Sequence, residues 1–133
     1  MRIVLTVVFS LVVGQTVFAQ RADERLAGCR VIAEAATSDG KITIPNDPDA
    51  LQCWGALGVV QDFVNTFDGK TKRPFFNTRA CVPSDVTRSQ LAAIFVSFLD
   101  KRPERRHERF LDVMLDSLQE VYPFKGVRPC EPD

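Results

Sequence analysis

The sequence has few of the residues on which catalysis and metal binding usually depend. It contains one histidine, His107, and four cysteines with no Cys-x-x-Cys pair among them. Widely spaced cysteines and a distant histidine do not form a typical zinc motif. No glycine-rich phosphate loop is present, and His107 lies among arginines, as a solvated surface residue often does. We therefore expect no enzyme activity, no metal and no cofactor.

The sequence also lacks an excess of charge of either sign. Its 17 basic residues equal its 17 acidic residues in number. Nucleic-acid binding needs an excess of lysine and arginine on one face, so nucleic acid is not an expected partner. No internal repeat or low-complexity tract is visible. A chain of this length predicts one domain.

A long apolar run occurs only at the N-terminus. Met1-Arg2 is a basic start, residues 3–13 are almost entirely apolar, and Val17-Phe18-Ala19 resembles a signal-peptidase site. The run is too short to span a bilayer, and no cysteine follows it directly to carry a lipid. We predict a signal peptide over residues 1–19 and a mature periplasmic or secreted domain over 20–133, with no membrane association after cleavage.

Helical signals dominate the mature part and predict a small all-α domain of four helices. The first is predicted from Ala22 to Ala36 and the second from Pro48 to about Phe67, after an N-cap in Asn46-Asp47. Thr87 and Gln90 predict a capping box at the start of the third helix. The fourth is predicted to begin at Pro103 and to end near Tyr122, before Pro123.

The spacing of apolar residues predicts which helix faces are buried. On the second helix, Gly55 and Gly58 are expected to let another backbone approach closely. The residues predicted to face inward are Leu51, Trp54, Leu57 or Gly58, Gln61 and Val64 on the second helix, and Phe110, Leu111, Met114, Leu118 and Val121 on the fourth.

An even number of cysteines in a small exported chain predicts two disulfides. We expect helices one and two to form one hairpin and helices three and four a second. In that arrangement Cys29 faces Cys53, and antiparallel packing brings Cys81 near Cys130. This is one of three possible pairings, and the sequence does not decide between them.

Two segments are candidate contact surfaces. Residues 70–79 form a long connection that contains two aromatic residues beside basic ones: Lys72, Arg73, Phe75, Phe76 and Arg79. This pattern is as consistent with partner binding as with aromatic rings that fold back onto the core. The charged run Lys101–Arg109 is more typical of a solvated helix start, neutralised by Glu104 and Glu108, than of an anion site. Asp112 and Asp116, four residues apart, are likewise typical of a solvated face.

Three motifs in order resemble one protein family. The segment from Cys53 to Asp62 is similar to a Cys-x-Gly-Tyr-x-x-Gly-x-x-Asp helix start. Further along, the similar residues are Cys81-Val82-Pro83, Val86-Thr87, Gln90-Leu91, Phe98-Leu99, Pro103-Glu104, His107, Leu118 and Tyr122-Pro123. They resemble the Rap/Tai family of periplasmic immunity proteins, which protect bacteria from type VI secretion peptidoglycan amidases, and the resemblance covers the chain from about Cys29 to Cys130.

The resemblance implies a function by binding. It implies a homodimer that binds an amidase toxin protein and blocks its active-site cleft with a protruding loop. A periplasmic stress or acid chaperone of the small, helical, disulfide-bonded kind is the alternative. An amidase gene beside this one would favour the immunity function.

Overall fold

The structure, a computed structural model, describes residues 20–35, 41–68 and 80–124, and for 65–68 only the backbone. Its α-helices are α1 (Ala22–Glu34), α2 (Pro48–Asp68), α3 (Arg88–Lys101) and α4 (Phe110–Val121), with a 3-10 helix (Pro103–His107) before α4. Within these ranges no strand forms, only isolated bridges such as Arg21 with Arg109. The predicted all-α fold of four helices is confirmed. The predicted signal peptide lies outside the described residues.

Local signals define the start of two helices as predicted. At α2, the Asp47 carboxylate accepts a hydrogen bond from the Ala50 N–H at 2.8 Å, and Pro48 is the first helical residue. At α3, Thr87 and Gln90 form the expected capping box, with each side chain bonded to the backbone of the other. These caps satisfy N–H groups that have no partner within the helix. No described helix is long and apolar enough to cross a bilayer.

The predicted start of the fourth helix at Pro103 is wrong. The 3-10 helix ends at His107, and Glu108 and Arg109 are extended, with ψ of 166° and 138°. Their backbone pairs with the residues that precede α1: the Ala22 N–H donates to the Glu108 carbonyl at 2.8 Å and the Phe110 N–H to the Gln20 carbonyl at 2.9 Å. Because this pairing requires extended backbone, the α-helix begins only at Phe110.

α1 lies at the centre of the domain and packs against both α2 and α3. The predicted hairpin of helices one and two therefore contacts the predicted hairpin of helices three and four through α1. The core includes large, fully buried side chains from all four helices: Phe95, Ile32, Leu57, Leu91, Leu99, Met114 and Leu118. Phe95 and Phe110 meet edge to face, with ring centroids 5.0 Å apart, which ties α3 to α4.

The predicted inward face of α2 is partly wrong. Leu51 is 48% exposed, and the fully buried positions are Ala50, Cys53, Leu57 and, at 2% exposure, Val60. The close contact with α1 determines which side of α2 faces the core. A Cβ at Gly28 would overlap the backbone carbonyl of Asp49, so α1 and the start of α2 touch through their backbones. Close backbone approach therefore occurs at Gly28, whereas Gly58 faces the Arg88 guanidinium and Gly55 faces open space.

The inward face of α4 also differs from the prediction at its end. Val121 is 48% exposed, whereas Val113 and Ser117 are fully buried. The Ser117 hydroxyl donates to the Met114 carbonyl at 2.7 Å, so this buried polar group is satisfied. A serine was not expected in the core because its side chain is polar and most serines are exposed.

The disulfide between Cys29 and Cys53 is confirmed and joins α1 to α2. Both residues are fully buried. For the second predicted pair, Cys130 lies outside the described residues, and Cys81–Cys130 stays a prediction. The Cys81 N–H donates to the Tyr122 carbonyl at 2.8 Å. This bond holds Cys81 beside the end of α4.

Candidate partner-binding surfaces

The predicted contact loop lies outside the described residues, and with it Lys72, Arg73, Phe75, Phe76 and Arg79. The chain on either side of it is well anchored. α2 ends at Asp68, and Ala80 forms an antiparallel bridge with Pro123. The segment 69–79 therefore begins and ends on elements of the helical core.

A cluster of polar side chains joins α2 to the start of α3. The start of α3 follows the segment 69–79 closely in sequence. The Arg88 guanidinium lies 4.7 Å from the centre of the Trp54 ring, and its Nε donates to Gln61 Oε1 at 3.2 Å. Gln61 Nε2 in turn donates to the Val86 carbonyl at 2.8 Å. Trp54, Gln61 and Arg88 are all half-buried. The stacked cation and the two hydrogen bonds fix the angle between α2 and α3.

Gly58 makes room for this cluster. A Cβ at Gly58 would lie 3.0 Å from Cζ of Arg88, so a larger residue would displace the guanidinium. Sequence reasoning placed Trp54, Gly58 and Gln61 on one side of α2 but did not identify Arg88 as their partner. That partner is 27 residues from Gln61, and no local spacing rule connects them.

Ion pairs neutralise much of the charged run Lys101–Arg109 within the chain. Arg105 forms a bidentate pair with Glu108, at 2.8 and 2.5 Å, and also contacts Asp116 at 2.6 Å. The hydrogen bonds that Arg105 donates to these two carboxylates raise the pKa of Arg105, and the same contact lowers the pKa of Glu108. Arg109 pairs with Asp112 at 2.7 Å. The predicted neutralisation is found for Glu108, whereas Asp112 and Asp116, which lie outside the run, supply the other carboxylates.

The 3-10 helix buries none of its own side chains, so contacts made by arginines hold it in place. Arg102 pairs with Glu120 of α4 at 2.6 Å. The guanidinium groups of Arg102 and Arg105 lie 4.4 and 5.3 Å from the centre of the Phe98 ring. Two cations on one aromatic ring, together with their carboxylate partners, dock the turn onto α3 and α4.

A further ion pair joins α1 to the end of α3. Arg30 donates to both carboxylate oxygens of Asp100, at 3.1 and 2.7 Å, and Arg106 lies 3.8 Å from the same carboxylate. The bond with Arg30 lowers the pKa of Asp100. The turn Asp100–Arg106 therefore exposes charged side chains that ion pairs hold in place. It is a second candidate contact surface, in addition to the predicted contact loop.

The outward face of α2 is a third candidate surface. Leu51 and Val59 on this face, at 48% and 41% exposure, are large hydrophobic residues open to solvent, as is Val121 on α4. Gly55 lies between Leu51 and Val59, and a Cβ there would meet no atom within 4 Å. Glycine inside a helix costs about 1 kcal/mol relative to alanine, and no contact within the described part of the chain accounts for it.

The side chains of His107, Asp112 and Asp116 are exposed or half-buried. His107 is exposed on the 3-10 helix. No group of three or more His, Cys, Asp or Glu among the described residues could hold a metal ion. Asp112 and Asp116, the carboxylates that the sequence brought to attention, each pair with an arginine. Two of the candidate surfaces lie on the described chain: the charged turn Asp100–Arg106 and the apolar outward face of α2.

Comparison with known proteins gives one match. A family model described as Rap1a immunity proteins matches residues 24–124. The matched range begins in α1 and extends past the end of α4, so it includes nearly all of the helical core described above. No curated protein and no solved structure matches the chain.

Proposed function

Because the chain belongs to the Rap1a immunity protein family, whose model covers residues 24–124, we propose that it protects its own cell from a type VI secretion effector. In this proposal it binds a peptidoglycan amidase in the periplasm and blocks its active site, and it does so as a homodimer. The family match is the observation that carries the proposal. It favours immunity over the chaperone alternative.

The covalent structure supports a periplasmic location. The predicted signal peptide precedes the domain, and the Cys29–Cys53 disulfide lies in its core. Structural disulfides persist in oxidising compartments such as the periplasm and are rare in the cytosol. Peptidoglycan amidases act on the cell wall, so an inhibitor must meet them in the same compartment.

The proposed mode of inhibition uses the segment 69–79 as a plug. An amidase with a Cys and a His at the bottom of a groove can be blocked by a narrow projection that carries large apolar anchors. Phe75 and Phe76 supply such anchors, and Arg73 can pair with a carboxylate. The cluster of Trp54, Gln61 and Arg88 supports this role, because it fixes the helices from which the segment emerges.

The first experiment tests protection. A small Cys-His peptidoglycan amidase of a type VI secretion system is exported to the periplasm of a test strain, with or without the full-length chain. We expect the full-length chain to restore growth and a version without residues 1–19, kept in the cytoplasm, to give no protection. Lysis of the test strain, although it contains a normal amount of the full-length chain, would contradict the proposed function.

The second experiment tests the plug. The double variant Phe75→Ala with Phe76→Ala should weaken binding to the amidase by about 2 kcal/mol or more, as hot-spot truncations do. Its helical circular dichroism and melting temperature should match those of the parent. Val121→Ala, on an exposed residue of α4, is the control and should bind normally. Unchanged affinity in a folded double variant would exclude the segment and direct attention to the turn Asp100–Arg106.

A further inference from the structure

The turn between α3 and α4 is held in place mainly by charged side chains. Its 3-10 helix buries none of its own side chains. The Arg105 N–H donates to the Arg102 carbonyl and the Glu108 N–H to the Arg105 carbonyl, so these backbone bonds are internal to the turn. Among the described residues, the backbone of 103–107 forms no hydrogen bond with another element. Side-chain contacts therefore decide whether this segment lies against the helices.

Two arginines of this turn cover one aromatic ring. The guanidinium groups of Arg102 and Arg105 lie 4.4 and 5.3 Å from the centre of the Phe98 ring, and Phe98 is only 6% exposed. Two like charges on one ring repel each other. Carboxylates that pair with the arginines offset this repulsion: Glu120 for Arg102, and Glu108 and Asp116 for Arg105. The cover over Phe98 thus depends on ionised carboxylates.

A groove of about 250 Å³ between α3 and α4 includes the Phe98 ring in its lining. Ile94, Ser117 and Val121 line it as well. Ile94 is half-buried and Val121 is exposed, so part of the groove is already open to solvent. If the two guanidinium groups left the ring, Phe98 would join these side chains in one exposed apolar surface. The ion pairs of the turn therefore control what this side of the domain presents to solvent.

The charges around the turn are balanced only while the carboxylates are ionised. Residues 100–120 together with Arg30 of α1 supply six cations and six carboxylates: Arg30, Lys101, Arg102, Arg105, Arg106 and Arg109, and Asp100, Glu104, Glu108, Asp112, Asp116 and Glu120. Elsewhere on or beside α1, Arg21 pairs with Asp23 and Glu24, and Glu34 lies within electrostatic reach of Arg30. Arginine stays charged at any pH of interest, and His107 gains a charge in acid. Protonated carboxylates would therefore leave a group of cations that repel one another.

We propose that residues 102–107 form an acid-released strap. The strap is closed, with Arg102 and Arg105 on Phe98, while the carboxylates are ionised, and it opens and uncovers Phe98 once they are protonated. Both ends stay attached: the Arg102 N–H donates to the Leu99 carbonyl at 3.3 Å, and the backbone of 108–110 pairs with that of 20–22. Opening is therefore local and leaves the core in place. It is independent of toxin binding and can be measured on the purified chain alone.

The pKa shifts agree with this direction. Hydrogen bonds from Arg30 and Arg105 lower the pKa of Asp100 and Glu108, and the Asp100 carboxylate also lies 3.8 Å from Arg106 of the strap. A carboxyl group whose pKa is lower in the closed form stabilises that form above its pKa in the open form. The stabilisation is lost as the pH falls through the lower value. The strap should therefore stay closed at neutral pH and open below about pH 4.

The test is amide hydrogen exchange of the purified mature chain, followed by NMR at neutral pH and at about pH 3.5. Each rate is expressed relative to that of an unstructured peptide at the same pH. The amides of Arg105 and Glu108 report on the strap, and those of buried Ile32 and Leu57 report on the core. We expect the strap amides to lose about tenfold in protection in acid, the factor that two or three ion pairs supply, and the core amides to lose less. Nile red, an uncharged dye, should gain fluorescence as Phe98 is uncovered.

A double variant separates the strap from general acid sensitivity. Asp116→Asn with Glu120→Gln removes two carboxylates that hold the strap on α4 and should open it at neutral pH. Their side chains are 44% and 42% exposed, so the core should stay folded, which circular dichroism checks. Asp112→Asn is the matched control, because Asp112 lies on the same helix but pairs with Arg109, outside the strap. It should leave the strap amides protected.

Three results would overturn the proposal. In the first, the strap amides of the parent lose protection in acid only together with the core amides, because the domain then unfolds as a whole. In the second, a folded double variant keeps the parent's protection at neutral pH. In the third, the strap opens but the fluorescence of Nile red does not change, because Phe98 then stays covered.

Discussion

Removing the Cys29–Cys53 disulfide should cost a large part of the stability of this domain. The link closes a loop with a sequence separation of 24. Loop-closure entropy for that length predicts a loss of about 3.5 kcal/mol when Cys29→Ala and Cys53→Ala are combined. Total stabilities of small domains are about 5–15 kcal/mol. Both cysteines are fully buried, so alanine, which adds no polar group, is the appropriate replacement.

Urea unfolding followed by circular dichroism measures this effect. We expect the free energy of unfolding to fall by about 3–4 kcal/mol. The slope m should rise, because an unfolded chain without the link exposes more surface. Ala27→Ser, on the exposed side of α1, is the control and should change stability by no more than about 0.5 kcal/mol. A loss below about 1 kcal/mol with an unchanged slope would refute the reasoning that the link acts through the unfolded state.

Three further predictions concern other contacts. Gly28→Ala should cost about 1–3 kcal/mol in urea unfolding because its Cβ meets the Asp49 backbone, whereas Gly55→Ala should stabilise by about 0.4–1 kcal/mol; equal effects would refute this difference. Asp100 and Glu108 have lowered pKa values in the folded chain, so their ionised carboxylates stabilise the fold at any pH above their pKa in the unfolded chain. This stabilisation is lost as the pH falls through their pKa in the folded chain. The melting temperature should therefore decrease when the pH is lowered below about 4.3, and it should decrease less in the double variant Arg30→Met with Arg105→Met. Peptide mapping without reduction should recover Cys81 linked to Cys130, and a link from Cys81 to Cys29 would contradict the proposed pairing.

Features set by short-range contacts could be predicted from the sequence. The capping box of Thr87 and Gln90 and the N-cap and proline at Asp47-Pro48 involve residues at most three positions apart. Their chemistry is therefore visible in a short window of sequence. The number of helices followed from the same local patterns, whereas Cys29–Cys53 was part of one of three possible pairings and rested on the expected hairpin of the first two helices.

Features set by distant contacts could not be predicted. The rotation of α2 depends on Gly28 and on where α1 lies, so Leu51 was placed inside when it is exposed. α4 begins at Phe110 and not at Pro103 because residues 108–110 pair with Gln20 and Ala22, which are distant in sequence. Periodicity within one helix contains no information on either contact.

The candidate surfaces show the same division. The balance of charge in Lys101–Arg109 could be predicted in kind, since its arginines pair with carboxylates. The sequence did not show that Asp116 and Glu120 of α4 are among the partners, or that Phe98 supports two guanidinium groups. The outward face of α2 was missed because Leu51 was predicted to face inward and Val59 was assigned to neither face. The exposure of both residues in the folded chain reveals this face.

The bridge between Arg21 and Arg109 determines when this fold can be completed. Its two hydrogen bonds join the start of α1 to residues 108–110, so they form only after nearly the whole domain is available. Contacts between such distant residues form slowly because a long loop must close. The start of α1 is therefore fully anchored only after residues 108–110 have reached it, late in folding.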